Sequence, residues 1–210
     1  MARDAIHLWN EIPPAPFSKG GETPASSYSP FNKGGGGILK STSSEIIKGG
    51  GITMSSIAFQ DQIPDNRCYG CGPSNHDGLR IKSYWEGDES ICIYQPERHH
   101  SAGPPQFLNG GIIATLIDCH SVCTAIAYAY GIEKRPIGSD PHIWCVTANL
   151  NVTYLRPTPL DLPVTLRARV TEAGPKKTLL QCSLYSNSDE CARGQVVAVR
   201  VPNSWRNTQE

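Results

Sequence analysis

Asn109, Gly110 and Gly111 open an apolar run that carries a single carboxylate, Asp118. A helix beginning here presents free backbone N–H groups and the positive end of its dipole, which attract developing negative charge. That is the chemistry of an oxyanion site. An ionised carboxylate in apolar surroundings is costly, so Asp118 needs a reason to be there. Two readings stay open on the residues alone. Either a glycine-opened N-terminus and an acid serve a reaction, or Asn109 is an ordinary N-cap and Asp118 a satisfied core polar group.

A second set of reactive residues is Cys68-Tyr69-Gly70-Cys71-Gly72. Cys-x-x-Cys invites a zinc reading, with His76 as third ligand and His99 or His100 as further candidates. A structural zinc site commonly takes four ligands, often as a second pair, and no such pair is obvious in the sequence. A redox pair is expected at a helix start, whereas this one lies among glycines. The expectation is a packed turn, no metal and no redox cofactor. His99 and His100 read as solvated loop residues.

The elements that must position these groups follow from pattern. From Ile112 to Tyr130 there is neither Pro nor Gly, and the run is too uncharged to have a solvated face, so something must wrap it. Ahead of it, Leu79 to Trp85 and Ser90 to Gln95 read as strands joined at Gly87-Asp88. After it, Ile143 to Leu155 alternates. Val146, Ala148, Leu150, Val152 and Tyr154 fall on one face, and Thr147, Asn149, Asn151 and Thr153 on the other. Pro163 to Glu172, Lys177 to Asn187 and Gly194 to Val201 follow as strands, with spacings that suit an antiparallel meander. One long helix against five to six antiparallel strands is an α+β layer, a curved sheet wrapped around a helix. A single curved sheet leaves an open edge, so a homodimer or homotetramer is expected.

Composition narrows the class. Of 210 residues, 19 are Lys or Arg and 19 Asp or Glu. This balance argues against a nucleic-acid footprint. No apolar run reads as long enough to span a bilayer, and the N-terminal residues lack the apolar core of a secretion signal, so no membrane role is expected. Several of the 8 cysteines sit in the apolar run and the strands, which reads as buried free thiols in a reducing cytoplasm. Residues 1–53 are rich in Gly, Pro, Ser and Lys and hold a near-repeat, PFSKGG and PFNKGG. They read as a disordered tail, or as upstream sequence translated ahead of a start at Met54. Residues 54–210 read as one domain.

Three blocks together resemble the hotdog-fold acyl-CoA thioesterases of the phenylacetate-pathway (PaaI-like) type, over about residues 66–202. They are Cys68 to Gly72 with Asn75, Gly78 and Leu79; Asn109 to Asp118; and Val146 to Pro157. The resemblance implies an acyl-CoA substrate with a small to medium or aromatic acyl group, and a site lying between two subunits. It gives Asp118, nine residues after Asn109, the part of general base or nucleophile, and Gly110 N–H that of oxyanion donor. It sets Thr147 opposite the acid, and Gly111 and Arg156 on the substrate, Arg156 toward coenzyme A phosphates. Coenzyme A enters with the substrate, not as a cofactor. The departure is Asn109, where the common motif has histidine; asparagine can hydrogen-bond but not titrate. The competing readings are a non-catalytic acyl-CoA-binding protein, which has no need of Asp118, and a hotdog hydratase, which normally pairs an Asp with a His that has no counterpart at suitable spacing here.

Overall fold

The run after Asn109 folds as one helix, α1 (Gly110–Ile132). The computed structural model describes residues 57–202, so the expectations for residues 1–53 and for a start at Met54 lie outside the described residues. Asn109 is the N-cap in extended backbone, and its side chain accepts from the N–H groups of Gly111 and Ile112. Two donors that a helix start leaves unmatched are thereby satisfied.

Six antiparallel strands surround this helix: β1 (Ser83–Glu86), β2 (Glu89–Tyr94), β3 (Trp144–Tyr154), β4 (Val164–Ala173), β5 (Lys177–Ser186) and β6 (Asp189–Val201). The spatial order is β1-β2-β4-β5-β6-β3. This is the hotdog arrangement, α+β, as expected. It is not a plain meander, because the helix carries the chain across the sheet and β3 pairs at the far edge with β6. Two boundaries also differ from the pattern. Arg80 takes a left-handed φ of 48°, so the chain from Leu79 does not run straight into β1. Instead Leu79 and Ile81 donate to the carbonyls of Tyr69 and Gly70. At the other end, residues expected to be loop form the start of β6. The turn is tighter, with Asn187 at φ 53° and Ser186 facing Asp189.

The inner face of the sheet is built for a helix to lie close. Leu166 pairs with Leu184, Ala168 with Cys182, and Cys182 with Gly194. These residues pack on Ile113, Leu116 and Ile117 of α1 in one core. Gly194 lets the helix approach closely: a Cβ there would fall under 3.0 Å from Ile117 Cγ2. By length and composition α1 could cross a bilayer, contrary to the sequence expectation. Its apolar window is 67% buried inside the protein, as fits the core helix that this sheet encloses.

Two buried polar side chains on α1, His120 and Thr124, are matched. His120 Nδ1 lies 2.9 Å from Ser83 Oγ and its Nε2 3.2 Å from Ser90 Oγ. Ser90 Oγ in turn lies 2.5 Å from Thr124 Oγ1. Burial pushes the His120 pKa down to about 4, so the ring is neutral at physiological pH. It holds β1 and β2 to the helix and does not reach Asp118, in keeping with its position two residues on along a helix.

Candidate active site

β3 is where the alternation read from sequence fails. Thr147 pairs with Ala198, but Asn149 pairs with Val197, so Ala148 is an extra residue in the strand. A bulge of this kind reverses the phase of the side chains beyond it. Before it, Cys145 is buried in the core and Thr147 turns inward. After it, Leu150 and Val152 pack on the core. Thr147 and Tyr154, assigned to opposite faces by strict alternation, therefore both meet α1.

Each meets a residue singled out above. Thr147 Oγ1 donates to Asp118 Oδ1 at 2.5 Å. Tyr154 Oη donates to the Gly110 carbonyl at 2.7 Å. Among the described residues the Gly110 N–H has no hydrogen-bond partner; the Asn109 side chain caps the next two instead. Sequence reasoning missed Tyr154 in this position and placed it only on one face of the alternating strand.

Asp118 is half-buried at the edge of an apolar cavity of about 360 Å³, lined by Phe59, Ile63, Val122, Ile126, Ile137 and Trp144 among others. Burial raises its carboxyl above the usual carboxylate range; the Thr147 hydrogen bond opposes this shift, and the nearby Cys71 adds to it. A carboxylate in these surroundings is a stronger base than one in water, and its position toward water or substrate is fixed by one hydroxyl. Arg156 lies apart from this pair, in an exposed ion pair with Asp189 at 2.7 Å. Trp85 packs on Phe59 with ring centroids 5.2 Å apart.

The cysteines require a correction. Cys68 and Cys71 are not without partners: their Sγ atoms and that of Cys119 lie within 4.8 Å of one another, and Cys123 reaches Cys71 from one turn further along α1. The group contains no histidine, so His76, His99 and His100 are not its third member. His100 instead packs on Tyr94 and accepts from the Glu97 N–H at 3.0 Å. The i, i+4 spacing of Cys119 and Cys123 was visible in the sequence, but it was read as core packing.

Residues 106–192 match the model of the thioesterase superfamily. A thioesterase superfamily protein from Shewanella loihica is 36% identical, over 65% of this chain and 96% of that one, with a TM-score of 0.49. A thioesterase of Haemophilus influenzae shares the fold at 16% identity, over 62% of this chain and 85% of that one, with a TM-score of 0.50. Acyl-coenzyme A thioesterase THEM4 of Xenopus laevis is 29% identical over 53% of this chain. The chain spans 44% of that relative's length, less than half. The family match covers both the Asn109–Asp118 block and β3, and with the Shewanella protein's identity over almost its whole length it places this chain in the thioesterase superfamily.

Proposed function

We propose that this protein hydrolyses the thioester of an acyl-CoA, with Asp118 acting on water or on the carbonyl carbon itself. The observation that carries this reading is the Thr147–Asp118 hydrogen bond at the edge of an apolar cavity. The acyl group occupies the cavity, whose volume suits a small to medium or aromatic chain. Asp118 takes a proton from water, or attacks to give a mixed anhydride that water then opens. Thr147 holds the carboxylate in one orientation. The Gly110 N–H receives the thioester oxygen, and the Tyr154 bond to the Gly110 carbonyl steadies that peptide. Gly111 lines the same helix start, and Arg156 leaves Asp189 to meet the coenzyme A phosphates.

Gly110 and Asp118 are eight residues apart on one helix, a rise of about 12 Å. A single thioester carbonyl cannot contact both in one chain. The reading therefore includes a second copy of the chain, which brings its helix start to the Asp118 of the first. The exposed outer edge of β3, with Val146, Tyr154 and Leu155 showing apolar surface, is where that copy would pair.

The test is loss of thioester ultraviolet absorbance with a panel of acyl-CoAs, for the full chain and Asp118→Asn. A thiol trap is unsuitable because Cys68 is exposed. Asparagine keeps an oxygen for Thr147 but cannot act as a base, so turnover should fall about 10²–10⁴-fold with KM little changed. Unchanged turnover in D118N removes Asp118 from the mechanism. Absent turnover in folded wild-type protein that still binds acyl-CoA would make it a binding protein instead.

A further inference from the structure

The four cysteines gathered at the cavity wall come from two elements. Cys68 and Cys71 belong to the glycine-rich turn before β1, and Cys119 and Cys123 stand one turn apart on α1. Cys71, Cys119 and Cys123 are buried and Cys68 is at the surface. The turn is shaped to bring its thiols onto the helix. A Cβ at Gly70 would collide with Cys119 Sγ, so only glycine lets the turn seat there. The Gly72 N–H closes the turn on the Cys68 carbonyl at 2.8 Å.

The spacing of the sulfurs is informative. Cys68 Sγ and Cys119 Sγ are 3.6 Å apart. In a tetrahedral thiolate site with metal–sulfur bonds of about 2.3 Å, neighbouring sulfurs lie about 3.8 Å apart. The donors that such a site uses to hold its sulfurs are also present. Asn66 Nδ2 donates to Cys71 Sγ at 3.5 Å, and the Cys71 backbone N–H donates to the Cys68 thiol. Three thiols within 4.8 Å of one another, with Cys123 beside Cys71, would without a metal be weak donors and acceptors for one another. As thiolates around one cation they are all satisfied.

We propose that Cys68, Cys71, Cys119 and Cys123 bind one soft divalent cation of the zinc type, which pins the turn before β1 to α1 beside Asp118. Binding forms four metal–sulfur bonds and releases the four thiol protons to water; nothing is oxidised or reduced. Soft thiolates select zinc over magnesium or calcium. With all four positions filled by protein the site is closed, so its role is structural. It fixes one wall of the cavity and the helix turn that carries Asp118. The inference does not rest on the thioesterase reading, since metal content is measured without substrate.

The test uses the full chain purified under reducing conditions. Elemental analysis should give one zinc per chain. Titration of metal-free protein with Co²⁺ should give intense sulfur-to-cobalt charge-transfer bands and the visible bands of a tetrahedral centre, saturating at one equivalent. Cys68→Ser and Cys123→Ser should each abolish or weaken tight binding and change the cobalt spectrum. Cys182→Ser, in the sheet core, should leave both unaltered. Because the cobalt spectrum is read on wild-type protein, the test survives a variant that fails to fold. The proposal is overturned if folded, reduced protein yields no zinc and no charge-transfer band. It is equally overturned if mass spectrometry of natively purified protein finds a disulfide among Cys68, Cys71 and Cys119. A full cobalt spectrum in Cys123→Ser would remove Cys123 as the fourth ligand.

Discussion

Gly194→Ala is a test of how closely the sheet lies against the helix. Gly194 sits inside β6, opposite Cys182, and its φ is not in the left-handed region. On backbone grounds alone alanine is acceptable there and should stabilise by about 0.4–1 kcal/mol, by narrowing the unfolded ensemble. The structure predicts the opposite sign. The new methyl would lie under 3.0 Å from Ile117 Cγ2, with Ile117 Cβ and Cδ1 close behind at 3.7 and 3.8 Å. Ile117 is fully buried, so helix or strand must move. Overpacking of this kind costs about 1–3 kcal/mol. Set against the backbone gain, the net loss is about 1–2 kcal/mol, or a Tm lowered by about 2–8 °C for a domain of this size. Asp118 follows Ile117 directly, so the same displacement should shift the carboxylate from Thr147 and lower turnover about tenfold or more. Ile117→Leu removes the Cγ2 branch at nearly constant volume. In that background Gly194→Ala should be close to neutral, a coupling of about 1–2 kcal/mol. Urea and thermal unfolding at fixed protein concentration read the stability, and thioester hydrolysis reads the site. A stabilised Gly194→Ala, or equal effects in both backgrounds, would refute the close approach of Gly194 and Ile117.

Thr147→Val keeps the shape of a β-branched side chain but removes the donor to Asp118; hydrolysis should fall about tenfold or more with unfolding unchanged, and equal turnover would show that the carboxylate needs no orienting hydroxyl. Tyr130→Phe removes the hydroxyl that accepts from the buried Ile143 N–H at 2.9 Å and donates to the Ser139 carbonyl. Orphaning that N–H should cost about 1–3 kcal/mol in urea unfolding, and a cost within experimental error would contradict it. His100 is buried, and burial, with His99 beside it, holds its pKa below the ordinary 6.5. The unfolded chain therefore binds that proton more readily. The neutral ring's contribution is complete above pH 6.5 and is lost as pH falls below it toward the lower folded value. Stability curves of wild type and His100→Gln should converge over that range, and parallel curves would show that His100 does not titrate there.

Much of this protein is legible without coordinates, because local rules decide it. Asn109 before two glycines and a Pro-free apolar run fixes where α1 starts, and period-two alternation finds most of the strands. What escapes is what depends on length and on distant pairing. Nothing in the composition of β3 marks Ala148 as an extra residue; only its pairing with β6 does so, and with it went the face assignments of Thr147 and Tyr154. The place of β3 beside β6 depends on how the helix crosses the sheet. The cysteine cluster was missed for a related reason. Its two halves are about fifty residues apart in sequence, and each half has an ordinary explanation, a turn for one and core packing for the other. Only the fold brings them together.

The bulge at Ala148 makes β3 tolerant of one kind of change and intolerant of another. Asn149, Asn151 and Thr153 point outward and are exposed, so their chemistry can drift with little effect on the core. The number of residues between Thr147 and Tyr154 cannot. Removing one would leave Thr147 on Asp118 while turning Tyr154 away from Gly110 and putting an asparagine against the core. Divergence of this strand among related chains should therefore proceed by substitution, while insertions and deletions collect in the turns on either side of it.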